Sequence, residues 1–476
     1  KTLPTERSMA SYDLAIIGAG PGGYVAAIRA AQLGGRVVLI DKDELGGTCL
    51  NWGCIPTKAM IASAEVYKKI KEAAEFGIIL EGEARVDMGR LIDRKDKIVT
   101  TLVKGIQTLL KSRGVTYLHG QARFKSSTAI EVTAADGAAE TVEAAKTIVA
   151  TGSRPVSIPA FPFDGASIIS SDDAVNLREL PSHMFIIGAG IVGCEFAFLY
   201  HELGCRVTMV EMMERALPFE DGETSLLIER ELKKRKIALH LGTKVDKAER
   251  QEDGVVLITL AGGETVEADL VLVSIGRRPN TDGLGLEAAG VDLTGGGEIV
   301  VNERMQSSTE AIYAIGDVVG GALLAHKASA EGIVAAENAM GRNRVMNYDV
   351  VPAGIFTIPE VGVVGITEEE ATERGLAYRV GRFPIRALGK AMCAGETVGQ
   401  VKVIAEEETD QILGVHIVGD HAADLIHEAA VAMHAGLTAS ELGDLTHAHP
   451  TLAEAIMEAV HDVHDMAIHI PPKKEA

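Results

Sequence analysis

Apolar residues in this chain fall into short unbroken runs, each closed by glycine or by an acid. The run Asp13-Leu14-Ala15-Ile16-Ile17 reads as a buried strand. Gly18-Ala19-Gly20-Pro21-Gly22-Gly23 follows, then an alanine-rich helix to about Leu33, then a second strand over 36–40 that ends at Asp41. The pattern returns at 184–187, with Gly188, Gly190 and Gly193 as its glycines and a strand over 206–210 that ends at Glu211. In both copies the acid follows the last glycine by 18 residues (Gly23 to Asp41, Gly193 to Glu211). One Gly-x-Gly-x-x-Gly is an ordinary glycine-rich turn as often as a site. Two copies with flanking strands and one acid spacing predict two dinucleotide-binding units. The first glycine allows a tight turn, the second lets a pyrophosphate approach the backbone, and the third lets helix pack on strand. The phosphates sit at the helix N-terminus, and the acid is placed for an adenosine-ribose hydroxyl.

The remaining runs fill out three units. Residues 54–113 are predicted mostly helical. Strands are predicted at 116–118, 129–132 and 146–150, the last closing on Thr151-Gly152. A parallel closure at 270–275 ends the second unit, and Ile312-Tyr313-Ala314-Ile315-Gly316-Asp317 is a further buried strand that returns to the first sheet. From about 347, strands at 353–357, 400–404 and 412–418 alternate with helices at 367–375, 421–436 and 450–466. The fold class is therefore α/β. Two Rossmann-like dinucleotide-binding domains are expected at 12–154 with 283–346 and at 155–282, the second inserted in the first. An α+β domain at 347–470 follows.

Composition narrows the partners. Apolar content of 47% with only 4% aromatics suits α/β layers, and 476 residues suffice for several cores. A formal charge of −21 argues against nucleic acid or an anionic membrane. No apolar run reaches a membrane-spanning length, and the start lacks a secretory h-region. Residues 1–8 are set aside as a leader, and the lack of a transit peptide favours the cytoplasm. Five cysteines is a low, odd count that fits a reducing compartment. No second pair completes a zinc site, so no metal is expected.

The chemistry points to Cys49-Leu50-Asn51-Trp52-Gly53-Cys54, directly after the first unit. A regular helix holds Cα atoms five apart at about 8.6 Å, whereas a disulfide wants roughly 4.4–6.8 Å. A distorted turn is therefore predicted, with Gly53 supplying backbone latitude. Nicotinamide does not normally couple to a disulfide unaided, whereas a flavin accepts a thiolate's electrons and passes hydride on. The first site is accordingly expected to hold FAD and the second a nicotinamide nucleotide. Glu211-Met212-Met213 carries no arginine for a 2′-phosphate, so NAD is favoured over NADP.

These residues together resemble the flavin-dependent pyridine nucleotide–disulfide oxidoreductases, from Tyr12 to about His469. The specific marks are Gly46-Gly47-Thr48-Cys49 through Cys54-Ile55-Pro56-Thr57-Lys58, Ala150-Thr151-Gly152, Gly193-Cys194-Glu195-Phe196-Ala197, Gly316-Asp317 and His447-Ala448-His449-Pro450-Thr451-Leu452-Ala453-Glu454. The resemblance implies that Cys49 exchanges with substrate and Cys54 lies against the flavin. Lys58 and Glu195 would form an ion pair beside the flavin. Gly47, Thr48, Gly120, Asp317 and Ala325, with Gly18, Gly20, Gly23, Asp41, Thr151 and Gly152, would contact FAD. Glu211, Val245, Gly276 and Arg277, with the second glycine set, would contact NAD. His449 would be the general base, oriented by Glu454 and serving the cysteines of the partner subunit in a homodimer.

The activity implied is oxidation of a protein-bound dihydrolipoyl dithiol by NAD⁺. Lipoyl domains of 2-oxoacid dehydrogenase or glycine-cleavage complexes are the implied partners. A glutathione reductase would favour NADPH, and a mercuric reductase would add a C-terminal cysteine pair that 470–476 lacks. A purely structural subunit of a complex would need neither thiols nor base. Three residues depart from the pattern: Asp41 for the commoner Glu, Trp52 between the cysteines, and Asp420 where proline is commoner. Cys194 is expected in the core, and Cys205 and Cys393 have no partner at useful spacing. His421, His427, His434, His461 and His464 are expected on helices and solvated, as is His469 just past the last helix. His447 is expected to be an ordinary surface residue.

Overall fold

A computed structural model describes residues 11–472. The proposed leader at 1–8 lies outside the described residues. The first unit is a seven-stranded sheet. Its parallel part runs Thr116–His119, Val37–Asp41, Ser11–Ile17, Ala139–Val149, Ile312–Ala314. Ala129–Thr133 and Gln121–Phe124 extend it antiparallel from Ala139–Val149. The central strands are buried on both faces, as a parallel sheet covered by helices requires. Pro21–Gln32 and Ala325–Ala339 pack side by side on one face, where Gly332 lies so close to Gly22 that a Cβ would sit 2.5 Å from its carbonyl oxygen.

The second unit repeats the layout as Ala238–His240, Arg206–Val210, His183–Ile187, Leu270–Val273, Ile168–Ile169, all parallel. A three-stranded antiparallel sheet, Val245–Arg250, Val256–Leu260 and Thr265–Ala268, sits beside it. Ser153–Pro155 and Arg277–Pro279 pair antiparallel as the two chain crossings between the units. The third unit is a five-stranded antiparallel sheet, ordered Ala353–Ile355, Glu360–Gly365, Ile412–Gly419, Gln400–Glu406, Tyr378–Pro384. Ala422–Ala435 and Glu454–Asp462 cover it.

Several elements depart from the sequence expectation. The helical stretch 54–113 is two helices, Cys54–Lys71 and Met88–Ser112. A short 3-10 turn, Ala73–Phe76, ends at Gly77 with φ 73°, a left-handed value that glycine adopts cheaply. The second helix restarts where the Asp87 side chain accepts the Arg90 N–H at 3.0 Å. Between them Ile78, Ile79 and Leu80 are exposed, so apolar residues there mark no helix face. The strands Gln121–Phe124, Glu360–Gly365 and Tyr378–Pro384 were not expected, being short or broken by charge and glycine. The last helix begins at Glu454 and ends at Asp462, shorter than expected at both ends.

Candidate active site

Each glycine loop is shaped by contacts that a side chain would destroy. A Cβ on Gly18, which has φ 105°, would lie 2.2 Å from the Ala150 oxygen, and one on Gly23 would lie 1.8 Å from the Gly18 oxygen. In the second loop a Cβ on Gly188 would lie 2.5 Å from the Ser274 oxygen, and one on Gly193 would lie 1.9 Å from the Gly188 oxygen. Gly20 and Gly190 have open space instead, nothing lying within 4 Å of an added Cβ. Both cap their helices without any side-chain hydrogen bond. Free N–H groups and an uncovered backbone at a helix start form a cradle that fits a pyrophosphate. The two loops therefore suit the two dinucleotides.

The acids brace these loops. Asp41 accepts the Ala19 N–H on one oxygen and the Asp43 N–H at 2.7 Å on the other. Glu211 accepts Ala189 N–H at 2.7 Å and Met213 N–H at 2.9 Å. A carboxylate has about four acceptor positions, so ribose hydroxyls can still be received. Burial pushes the Asp41 carboxyl above its ordinary value.

The cysteine segment is built onto the first loop. Gly46 donates its N–H to Ala19 oxygen at 2.9 Å, and a Cβ on Gly47 would meet Gly20 Cα at 2.7 Å. The short helix Gly47–Asn51 ends at Trp52 (φ −146°, ψ 15°), and Gly53 (φ −122°, ψ −116°) turns the chain before Cys54 starts the next helix. A Cβ on Gly53 would lie 2.9 Å from the Thr48 oxygen. The break that the cysteine spacing demands is thus present at Trp52 and Gly53. Both cysteines are thiols, and they hydrogen-bond to each other. The bond from Cys49, aided by the Lys58 charge, lowers the Cys54 thiol to about 7. Cys49, as donor to Cys54 and partly buried, is pushed well up. Cys54 is the exposed thiol and the readier thiolate.

Lys58, one turn beyond Cys54, places Nζ 2.9 Å from both oxygens of Glu195. Their side chains are 27% and 7% exposed, so the pair is partly desolvated. The sequence expectation of a pair is met, although 137 residues separate the partners. Phe356 joins them from the third unit, a residue that sequence reasoning missed. Its backbone N–H donates to Glu195 Oε1 at 2.9 Å, and Lys58 Nζ lies 4.4 Å from its ring centroid. No local motif announces it, because only the tertiary fold brings it there.

His449 and Glu454 form the expected couple, Nδ1 to Oε1 at 2.9 Å, and Thr451 N–H holds the other Glu454 oxygen at 2.8 Å. Burial pushes Glu454 up, but the Thr451 N–H and His449 outweigh it and hold the carboxyl below its usual range. The His449 side chain is 76% exposed. Among the described residues no hydrogen bond joins His449 to either cysteine of its own chain.

The other expected site residues are dispersed around the first unit and its junction with the second. Gly120 donates its N–H to the Asp41 backbone carbonyl at 2.8 Å, and Thr151 Oγ1 donates to the Asn280 backbone carbonyl at 2.8 Å. Gly152 and Gly276 take φ of 67° and 118°. Thr48 lies in the short cysteine helix, Ala325 opens the helix Ala325–Ala339, and Val245 pairs with Leu260. Asp317 accepts Ser153 Oγ at 2.5 Å. Arg277 donates Nε to Ser153 Oγ at 2.7 Å and a terminal N–H to Ser153 oxygen at 2.8 Å. Arg277 and Asp317 thus meet on the Ser153 hydroxyl, and both line a cavity of about 160 Å³.

Several bland expectations need correction. His447 is not a surface residue: its side chain is 7% exposed and Nε2 lies 2.6 Å from Glu428. His464 is largely covered and pairs with Asp410 at 2.9 Å, whereas His469 is solvated as expected while bonding Glu458 at 2.7 Å. His421 precedes its helix with φ 59°. Cys194 and Cys205 are buried and Cys393 is exposed. No group of His, Cys, Asp or Glu among the described residues is arranged to hold a metal.

Two tandem dinucleotide sheets, a thiol pair on the first and a third antiparallel unit define a flavoprotein-type disulfide oxidoreductase. The chain belongs to the pyridine nucleotide-disulphide oxidoreductase family, whose model matches residues 12–332 and whose dimerisation domain matches 351–460. It is 45% identical to dihydrolipoyl dehydrogenase of Thermus scotoductus over 467 residues, 97% of this chain and 99% of that protein. It is 42% identical to the mitochondrial dihydrolipoyl dehydrogenase 2 of Arabidopsis thaliana, over 96% of this chain and 91% of that one. Its fold is similar to that of LpdA from Mycobacterium tuberculosis (TM-score 0.88, 31% identity, covering 94% of this chain and 98% of that one). No helix among the described residues is long and apolar enough to cross a membrane.

Proposed function

We propose that the chain oxidises dihydrolipoyl groups carried by a partner protein, with FAD as its resident cofactor and NAD⁺ as the final acceptor. The cysteine pair packed against the first glycine loop carries this reading. In the oxidised enzyme Cys49 and Cys54 share a disulfide. One substrate thiolate attacks the Cys49 sulfur, a mixed disulfide forms, and Cys54 leaves as a thiolate. The second substrate thiolate then attacks the mixed disulfide, releasing cyclic lipoyl disulfide and leaving Cys49 reduced. The Cys54 thiol at about 7 suits a leaving group near neutral pH. Lys58 supplies the positive charge that favours its anion, and Glu195 holds Lys58 in place. The first glycine loop, Asp41, the cysteine segment and Asp317 would hold FAD, which when bound would supply a two-electron link between thiols and NAD⁺.

His449 takes the substrate thiol proton, and Glu454 fixes its Nδ1 so that Nε2 faces the reaction. Exposure of His449 in the single chain favours a homodimer in which it serves the cysteines of the partner subunit. Lipoyl domains of 2-oxoacid dehydrogenase or glycine-cleavage complexes supply the dithiol. A reducing compartment, the cytoplasm, fits the low, odd count of five cysteines. The test is anaerobic turnover of the purified protein with dihydrolipoamide or reduced glutathione, each with NAD⁺ or NADP⁺. Turnover with dihydrolipoamide and NAD⁺ is expected. A protein that takes up no flavin, or turns over glutathione faster than dihydrolipoamide, refutes the reading.

A further inference from the structure

We propose that Phe356 is a positioning residue, which acts on Cys54 by clamping the Lys58–Glu195 pair with its aromatic face and its backbone N–H. The inference rests on the reading above, in which that pair serves the thiol. Phe356 directly follows the strand Ala353–Ile355, in the turn to Glu360–Gly365. The turn is stiff: Thr357 Oγ1 donates to Pro359 oxygen at 2.7 Å, and Ile355 and Val361 pair at its base. The half-buried ring packs against the apolar cluster that includes Ile355, Ile358 and Val361, which limits its freedom. From this turn the ring reaches the helix Cys54–Lys71 and the N–H reaches the helix Ile191–Leu203.

The two contacts act on opposite members of one pair. Glu195 is buried and carries the charge that opposes a Cys54 anion; Lys58 carries the charge that favours it. An ammonium paired only with Glu195 can pivot about the carboxylate. The ring's negative face gives it a second fixed attraction, worth more where solvent is partly excluded. Phe356 thereby ties the thiol's electrostatics to the third unit. The charged and titratable groups facing Cys54 are Cys49, Lys58 and Glu195, and two of the three are held by this turn.

The test compares flavin-loaded wild type with Phe356→Leu, Phe356→Tyr and Lys58→Met. Two readouts are taken: steady-state kcat against KM, and the pH midpoint of isotope-labelled cysteine Cβ resonances in the reduced protein. Leucine approximates the volume but lacks the face; tyrosine keeps it. Phe356→Leu is expected to lower kcat about tenfold with little change in KM, and to raise the Cys54 midpoint. Phe356→Tyr is expected to restore both. If Phe356→Leu leaves the midpoint in place, or Phe356→Tyr fails to restore it, the ring is packing only and the proposal is overturned. Should Phe356→Leu not fold, Phe356→Met carries the same comparison. Lys58→Met separates the two levels. A midpoint that moves in Lys58→Met but not in Phe356→Leu sinks the clamp alone. A midpoint unmoved in Lys58→Met sinks the reading of the pair and the clamp with it.

Discussion

The two dinucleotide units differ most where their acids hand the chain onward. Up to that point they match: the same order of the four strands around the loop, matching glycine contacts, and an acid that holds the loop by the N–H of Ala19 or Ala189. The next contact matches too. Ala19 oxygen accepts the Gly46 N–H at 2.9 Å, and Ala189 oxygen accepts the Leu217 N–H at 2.8 Å. Then the paths part. The first connector enters the short helix that presents Cys49. The second passes through Leu217 at φ 47° to Asp221, which caps the helix Gly222–Lys234 and is gripped by Lys402 of the third unit at 2.8 and 3.0 Å. One nucleotide scaffold thus carries chemistry on its connector, and its copy carries a docking joint. The repeat preserves what phosphate binding demands and varies what lies just outside it.

Substitutions on the two connectors should therefore fail in different ways. Cys54→Ser is expected to abolish dihydrolipoamide turnover while leaving a yellow protein with unchanged thermal stability. Stopped-flow reduction and a melting curve check both halves, and any substantial turnover contradicts the assignment. His449→Gln should lower kcat by about 10²–10⁴-fold, the usual worth of a positioned base. Mixing it with Cys49→Ser protein sharpens the point: recovery of activity in hybrid dimers is expected if the base serves the other subunit's thiols.

On the second connector, Lys402→Met should act on stability. Lys402 is 3% exposed and Asp221 is fully buried, so the change strands a buried carboxylate, at a cost of about 3–5 kcal/mol. Denaturant unfolding measures it, and loss of less than about 1 kcal/mol would show the joint to be slack. The smallest effect is acidic. Burial alone would raise Glu223, but Arg382, Gln400 and Lys402 outweigh it and hold the carboxyl at about 2. A depressed folded value contributes stability above the ordinary glutamate value of about 4.3, and that share is lost as pH falls toward 2. Glu223→Gln should flatten the acid limb of the stability curve between those values.

Much of the fold was legible because its signals are local. The close approaches of Gly23 to Gly18 and of Gly193 to Gly188 lie within one glycine motif, so spacing alone reveals them. The break at Trp52 and Gly53 follows from the reach of a disulfide. The interruption at 77–87 was not legible, since Ile78, Ile79 and Leu80 imitate a helix face while lying exposed. His447 looked solvated because its partner Glu428 sits 19 residues away on the helix Ala422–Ala435.

The sequence by itself determined two nucleotide cradles, a thiol pair held in a broken helix, and a histidine with its carboxylate nearby. Each is set by residues a few positions apart, where chain geometry leaves few alternatives. Tertiary structure alone decided that Lys58 meets Glu195, that Phe356 caps the pair, and that Arg277 and Asp317 share the Ser153 hydroxyl. Those contacts join units far apart along the chain. Their partners are chosen by which helices and strand ends the packed cores bring face to face, and no local spacing encodes that choice.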